Sequence, residues 1–334
     1  MTLMLLIIMP ACVYAAEGTS VILNTIVVYL VLTETNKDIK EYKNLLILNC
    51  IVDYVYTLIG LFNHDTFEIT QNVWIHILGW PANLFPKPWH YVFVGAFSFK
   101  LSFGIISLPI QFGYRWCLLC RRKMLTVSQL ILIFVATFMI SCHWWTVFGL
   151  TFYVSDHKYT DYSFLKSNPF IFNDQNSNPT LVITELKNPL LLEITLTALV
   201  ANGLTCFLIG YFTCKTIQKL EESKGKMSNK TRRLQNQMTR ILLVQKTSVL
   251  LTAIIPIMIM GFMVFTAVEI HGMGSTMNVI LSWIPVMNPF CTIIMVRRLR
   301  LRLLSCISPF SYGSSNTETS RSPIYGAHIP IFIF

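Results

Sequence analysis

Seven apolar stretches divide this chain, at residues 8–32, 44–63, 90–114, 127–152, 189–213, 241–266 and 274–296. Each is close to the ~20 residues that an α-helix needs to cross ~30 Å of hydrocarbon. A backbone inside lipid has no water to bond to, so only helices or closed barrels can span it. The pattern therefore predicts an all-α integral membrane protein, a seven-transmembrane helix bundle. Lys and Arg fall in alternate gaps. The segments 33–43, 115–126 and 214–240, with the stretch after 296, hold 20 of the 26, whereas the other gaps hold Lys87, Lys158, Lys166 and Lys187. Cytoplasmic loops retain these residues, so the expected orientation has the N-terminus extracellular and the C-terminus cytoplasmic.

At 54% apolar and 13% charged residues, the chain has too little polar surface to cover a soluble domain of its length. Its net charge of +10 sits in short juxtamembrane loops rather than on one folded face. That distribution fits topology and lipid headgroups, and argues against a nucleic-acid partner. Residues 1–310 are expected to form one membrane domain, with 311–334 a disordered cytoplasmic tail whose Ser/Thr-rich part is open to phosphorylation. Between them, 297–306 alternates Arg and Leu. It reads either as an interfacial helix, with Cys306 a candidate palmitoylation site, or as a basic stop-transfer flank. The first eighteen residues have a signal-like apolar core, but no basic residue precedes it and cleavage would leave only Thr19 to Thr33 of the first span. An uncleaved first helix is expected.

Enzymatic chemistry finds no support. HExxH, a Walker loop, GxGxxG and GxSxG are all absent from the sequence, and no cofactor is implied. The Cys117/Cys120 pair lacks the second ligand pair of a zinc site. None of the nine cysteines lies in an expected outer loop, so no disulfide framework is predicted. The sequon Asn229-Lys230-Thr231 falls on the cytoplasmic side, where no glycan is added. The first outer loop, His64 to Trp89, carries Trp74, Trp80 and Trp89 with Pro81, Pro86 and Pro88, and is expected to lie along the membrane interface. The second, Tyr153 to Asn188, is the longest polar stretch and either caps a ligand entrance or plays no such part.

Polar groups inside hydrocarbon are costly and deserve a functional hypothesis. Asn24, Asp53 and Asn288 fall at one depth on three spans, and two amides there could donate to the carboxylate and leave room for water or Na⁺. The set is either an interhelical clamp or an ion-linked switch. Lys100 lies in the outer half of the third span and Glu193 near the outer end of the fifth. They either pair across a pocket or remain apart, Lys100 snorkelling and Glu193 facing water. Phe97, Lys100, Glu193 and Trp283 share this outer depth as candidate ligand-binding residues. Pro256 should hinge the sixth span, and Pro285 and Pro289 should bend the seventh.

Certain motifs, in this order and spacing, resemble the nematode serpentine chemoreceptors of the Str superfamily, with its Str and Srd-type members. They are Leu23-Asn24, then Glu41-Tyr42-Lys43-Asn44-Leu45-Leu46-Ile47-Leu48-Asn49 with Asp53, then Leu108-Pro109-Ile110-Gln111-Phe112-Gly113-Tyr114-Arg115-Trp116, then Val244-Gln245 leading to Pro256, and finally Ile284-Pro285-Val286-Met287-Asn288-Pro289. The resemblance covers residues 20 to 300. It implies a G protein-coupled receptor for a small odorant or pheromone-like molecule, in the plasma membrane of sensory cilia on chemosensory neurons, with a heterotrimeric G protein as partner. By the same resemblance Asn24, Asp53, Asn288 and Pro289 form a polar switch core, and Arg115 contacts the G protein when the sixth helix swings away. A ligand-gated channel or transporter is the alternative class, although no internal repeat is visible.

The chain also departs from its resemblances. Gly113-Tyr114-Arg115-Trp116 has no acid beside the arginine, and without outer-loop cysteines the common disulfide from the third helix cannot form. Asn288-Pro289-Phe290-Cys291-Thr292 lacks the tyrosine of rhodopsin-like receptors, and Arg297-Arg298 replaces the Tyr-Arg ending frequent in the family. The seventh span holds no lysine, which excludes a retinal Schiff base there.

Overall fold

The computed structural model describes residues 2–33, 43–120, 125–159, 163–165, 168–172, 179–223, 243–244, 247–295 and 300–303. Cys306, the tail 311–334 and the sequon Asn229-Lys230-Thr231 lie outside them, as does most of 297–306. Seven helical segments are long and apolar enough to cross a membrane. The helices are α1 (Thr2–Thr33), α2 (Lys43–Asn63), α3 (Lys87–Cys120), α4 (Val127–Asp156), α5 (Pro189–Ser223), α6 (Ile255–Thr266), α7 (Met273–Ser282) and α8 (Ile284–Met295). α6 continues a π-turn at Leu250–Ile254, and α7 with α8 forms the seventh span, broken at Trp283. α3 is buried along most of its span, while α4 and α5 turn most of their apolar surface outward, as lipid contact requires.

Small residues allow the tightest crossing. α3 and α4 meet so closely that a Cβ on Gly149 would come 2.9 Å from the Tyr91 carbonyl oxygen, so the backbones touch where a larger residue would hold them apart. α4 begins with a full capping box: Thr126 Oγ1 accepts from the Gln129 N–H, and Gln129 Oε1 accepts from the Thr126 N–H.

One end of the bundle carries a three-stranded antiparallel sheet, β1 (Thr66–Thr70), β2 (Val73–Leu78) and β3 (Thr180–Glu185), in the order β1-β2-β3. Its origin is local. Val, Ile, Thr, Phe and Trp suit a pleated surface, and Gln71-Asn72 turns the hairpin with both φ angles positive, at 49° and 62°. Phe67 opposes His76 and Ile69 opposes Trp74, and these side chains pack onto the bundle with Phe97, Phe148 and Phe152. The other face, with Val73, Ile75, Ile77, Leu181 and Ile183, is covered by Leu165 and Ile171 from the second connecting loop. The capped end thus has three layers: bundle, sheet and loop.

The sheet is absent from the sequence-based expectation, which placed Trp74 along the membrane interface. Trp74 is buried at 4% exposure, whereas Trp80 and Trp89 are exposed. Two carboxylates fasten the sheet to the helices. Asp156, at the end of α4, accepts from the Ile183 N–H at 3.2 Å, from the Tyr91 hydroxyl at 2.9 Å and from Lys87 Nζ at 2.8 Å. Glu68 on β1 accepts from the Gly272 and Ser275 N–H groups at 3.2 and 3.1 Å and from Ser275 Oγ at 2.6 Å. It supplies the acceptor that the first amides of α7 need. A Cβ on Gly274 would strike the Phe67 carbonyl oxygen, so β1 lies directly on α7.

Candidate functional site

Beneath the sheet, α3, α4, α5 and α6 line a partly open cavity of about 80 Å³. Trp74 and Phe97 close it toward the sheet, Trp144 and Phe148 come from α4, and Ile194, Thr195 and Asn202 from α5. Ile257, Met260 and Gly261 come from α6, within the five residues that follow Pro256. None of its lining residues carries a charge. Ser98, Ser102 and Thr195 add hydroxyls to the lining, and two buried groups on it have no hydrogen-bond partner among the described residues: Oδ1 of Asn202, which is 3% exposed, and Nε1 of Trp74.

Of the residues expected to bind ligand, Phe97 lines this cavity. Lys100 does not. It is buried beside the cavity, with Nζ 3.4 Å from Asp65 Oδ1 and 5.0 Å from the centre of the Phe97 ring. Glu193 is exposed on α5 and Trp283 is 36% exposed at the break in the seventh span, so neither lines the cavity. A Lys100–Glu193 pair is therefore not formed. A long cation this deep takes the nearest buried carboxylate instead.

That carboxylate belongs to a cluster the sequence reading missed. Asp65, just past α2, also approaches His76 Nδ1 at 3.3 Å. Burial works to raise the Asp65 carboxyl, but Lys100 and His76 outweigh it and hold the group down at about 2. Burial lowers His76 below its ordinary value, against the pull of Asp65, and packs the imidazole among Phe67, Trp74, Phe97, Phe148 and Phe152. Glu17 of α1, buried at 4% exposure, lies within electrostatic reach of Lys100 and Asp65. Nothing in the local sequence marks Asp65 or Glu17, because their partners lie on other elements, β2 and α3 among them.

The two prolines of the seventh span each orphan a carbonyl four residues back, and other helices supply the missing donors. Pro285 leaves the Leu281 carbonyl, which accepts from the Tyr56 hydroxyl at 3.0 Å. Pro289 leaves the Pro285 carbonyl, which accepts from Asn24 Nδ2 at 3.3 Å. Asn24 Nδ2 also reaches the Ser20 carbonyl at 2.9 Å. Asn288 Nδ2 donates to Asp53 Oδ1 at 3.4 Å. Thus one amide reaches the Asp53 carboxylate and the other braces backbone. Asn24, Asp53, Asn288 and Pro289 line a second cavity of about 20 Å³, which has room for a water. Gln111 of α3, not singled out from the sequence, lines it too.

In the sixth span Pro256 has no N–H for the Thr252 carbonyl, and its ring would strike that group in a regular helix. The chain widens into the π-turn Leu250–Ile254, with the Ile255 N–H bonding the Leu250 carbonyl five residues back. The predicted hinge position thus coincides with a break in helical regularity. Arg115 belongs to α3, five residues before its end at Cys120, with its side chain outside the described residues.

Comparison with known proteins accords with this geometry. Squid rhodopsin has a similar fold, with a TM-score of 0.61 over 90% of this chain and 84% of that one at 8% identity. No curated protein is significantly similar in sequence. The family model described as serpentine type 7TM GPCR chemoreceptor Str matches residues 11–304. This chain is an integral membrane protein that belongs to the Str family of serpentine seven-transmembrane chemoreceptors.

Proposed function

We propose that the protein is a chemosensory G protein-coupled receptor that binds a small environmental molecule in the cavity between α3, α4, α5 and α6. In this reading the sheet faces the extracellular side and the C-terminus the cytoplasm, which the distribution of Lys and Arg supports. The supporting observation is that Ile257, Met260 and Gly261, which line the cavity, lie on the same helix as the irregularity at Pro256. A molecule against these residues acts close to the point where the sixth span is least regular. It can favour a state in which the cytoplasmic half of that span stands away from the bundle. A heterotrimeric G protein would then meet the basic inner loops and Arg115. Asn24, Asp53, Asn288 and Pro289 form the polar core that holds the alternative state. The location inferred for the receptor is the plasma membrane of sensory cilia, a reading that the family resemblance supports.

The test is a G protein dissociation assay in cells with confirmed surface expression, exposed to volatile and water-soluble small molecules, with membrane current recorded in parallel. Ligand-dependent dissociation without current is expected. Current without dissociation would move the protein to the ligand-gated channel class.

A further inference from the structure

The cavity lining limits what chemistry it accepts. Lys100 and Asp65 neutralise each other outside it, and no charged side chain is among its lining residues. An ion entering would lose its hydration without gaining a counter-charge. Trp74, Phe97, Leu101, Ile105, Phe148 and Met260 offer apolar and aromatic contact. Against them stand two unmet demands among the described residues, Asn202 Oδ1, a buried acceptor with no donor, and the Trp74 Nε1–H, a buried donor with no acceptor. Leaving such atoms unsatisfied is costly, so a group that can both donate and accept contributes more than an added apolar contact.

We propose that the cavity takes a neutral, largely apolar molecule carrying a hydroxyl, whose O–H donates to Asn202 Oδ1. This rests on the reading of the cavity as the ligand site. Hydroxyl donation sets such a molecule apart from ethers and esters of the same shape, which can accept from the Trp74 N–H but leave Asn202 Oδ1 unmet. A site with an unpaired buried partner discriminates strongly against a ligand lacking the matching group.

Binding to the purified full-length receptor would be measured with straight-chain primary alcohols and with methyl ethers matched in carbon number. Each alcohol is expected to bind roughly tenfold more tightly than its ether. In Asn202→Leu the two should converge, and Asn202→Ser, which keeps an acceptor oxygen, should restore part of the difference. Equal affinity in the unaltered receptor, a preference that persists in Asn202→Leu, or no saturable binding of any alcohol would each overturn the proposal. Ala198→Phe, which fills the cavity, separates this from failure of the underlying reading. If a ligand of another class found by the dissociation assay is lost in Ala198→Phe, the cavity remains the ligand site and only the hydroxyl assignment falls.

Discussion

Tyr56 of α2 donates its hydroxyl to the Leu281 carbonyl at 3.0 Å, the acceptor that Pro285 leaves without its helical partner. The bond ties the second span to the point where the seventh is broken. Tyr56→Phe should leave that buried carbonyl with only the Trp283 N–H and destabilise the receptor by about 1 kcal/mol. Thermal unfolding of the purified protein measures this, and an unchanged midpoint would show that the break needs no such brace.

Lys100 is 6% exposed and ion-paired with Asp65. Lys100→Met would leave Asp65, with Glu17 nearby, as uncompensated buried acids, and should cost roughly 3–5 kcal/mol. Adding Asp65→Asn should recover more than half of that loss, because the double variant buries one fewer orphaned charge. Surface expression and thermal stability of the single and double variants report the effect. A double variant no better than Lys100→Met would mean that the pair is not the reason.

The same cluster predicts a pH dependence. Burial lowers the folded-state value of His76, and of His64 likewise, whereas the unfolded imidazole titrates near ~6.5. The unfolded chain therefore binds the proton more readily, and stability should fall as pH drops below ~6.5. Asp65 acts in a different window. With its folded value lowered to about 2, its contribution is intact above the unfolded value of ~3.9 and is lost only as pH falls from there toward 2. His76→Gln should flatten part of the loss between neutrality and pH ~5. An identical slope in the variant would remove His76 from the account.

Pro256 stands two residues past the end of the π-turn Leu250–Ile254. Pro256→Ala restores an N–H and should let the span regain regular α-helical bonding. Ligand binding should change little, while ligand-evoked G protein dissociation drops several-fold. Equal signalling would place the moving element elsewhere.

The bundle was legible because hydrocarbon imposes a length and a composition on every span. Pro256, Pro285 and Pro289 likewise announce the irregularities of the sixth and seventh spans, since a missing N–H has a local consequence. The sheet had a signal as well: Thr66 to Thr70, then Gln71-Asn72, then Val73 to Leu78 is two β-prone runs across a two-residue turn. Its three tryptophans and prolines drew the segment to the interface instead. Asp65, Glu17 and the environment of Asn202 were not legible, because each depends on side chains brought in by other helices and by β2. Lys100 shows this most clearly. Depth alone suggested Glu193 as its partner, but rotation about the helix axis, which depth does not give, turns Glu193 outward and leaves Asp65 within 3.4 Å.

The central claim is that an occupant of the cavity drives the receptor. The most direct test compares unaltered receptor with Ala198→Phe at equal surface level, in the dissociation assay with any molecule that activates the unaltered form. The account predicts that filling the space beside Met260 and Gly261 abolishes activation or shifts its concentration dependence by at least tenfold. Undiminished activation of Ala198→Phe by the same molecule would contradict it.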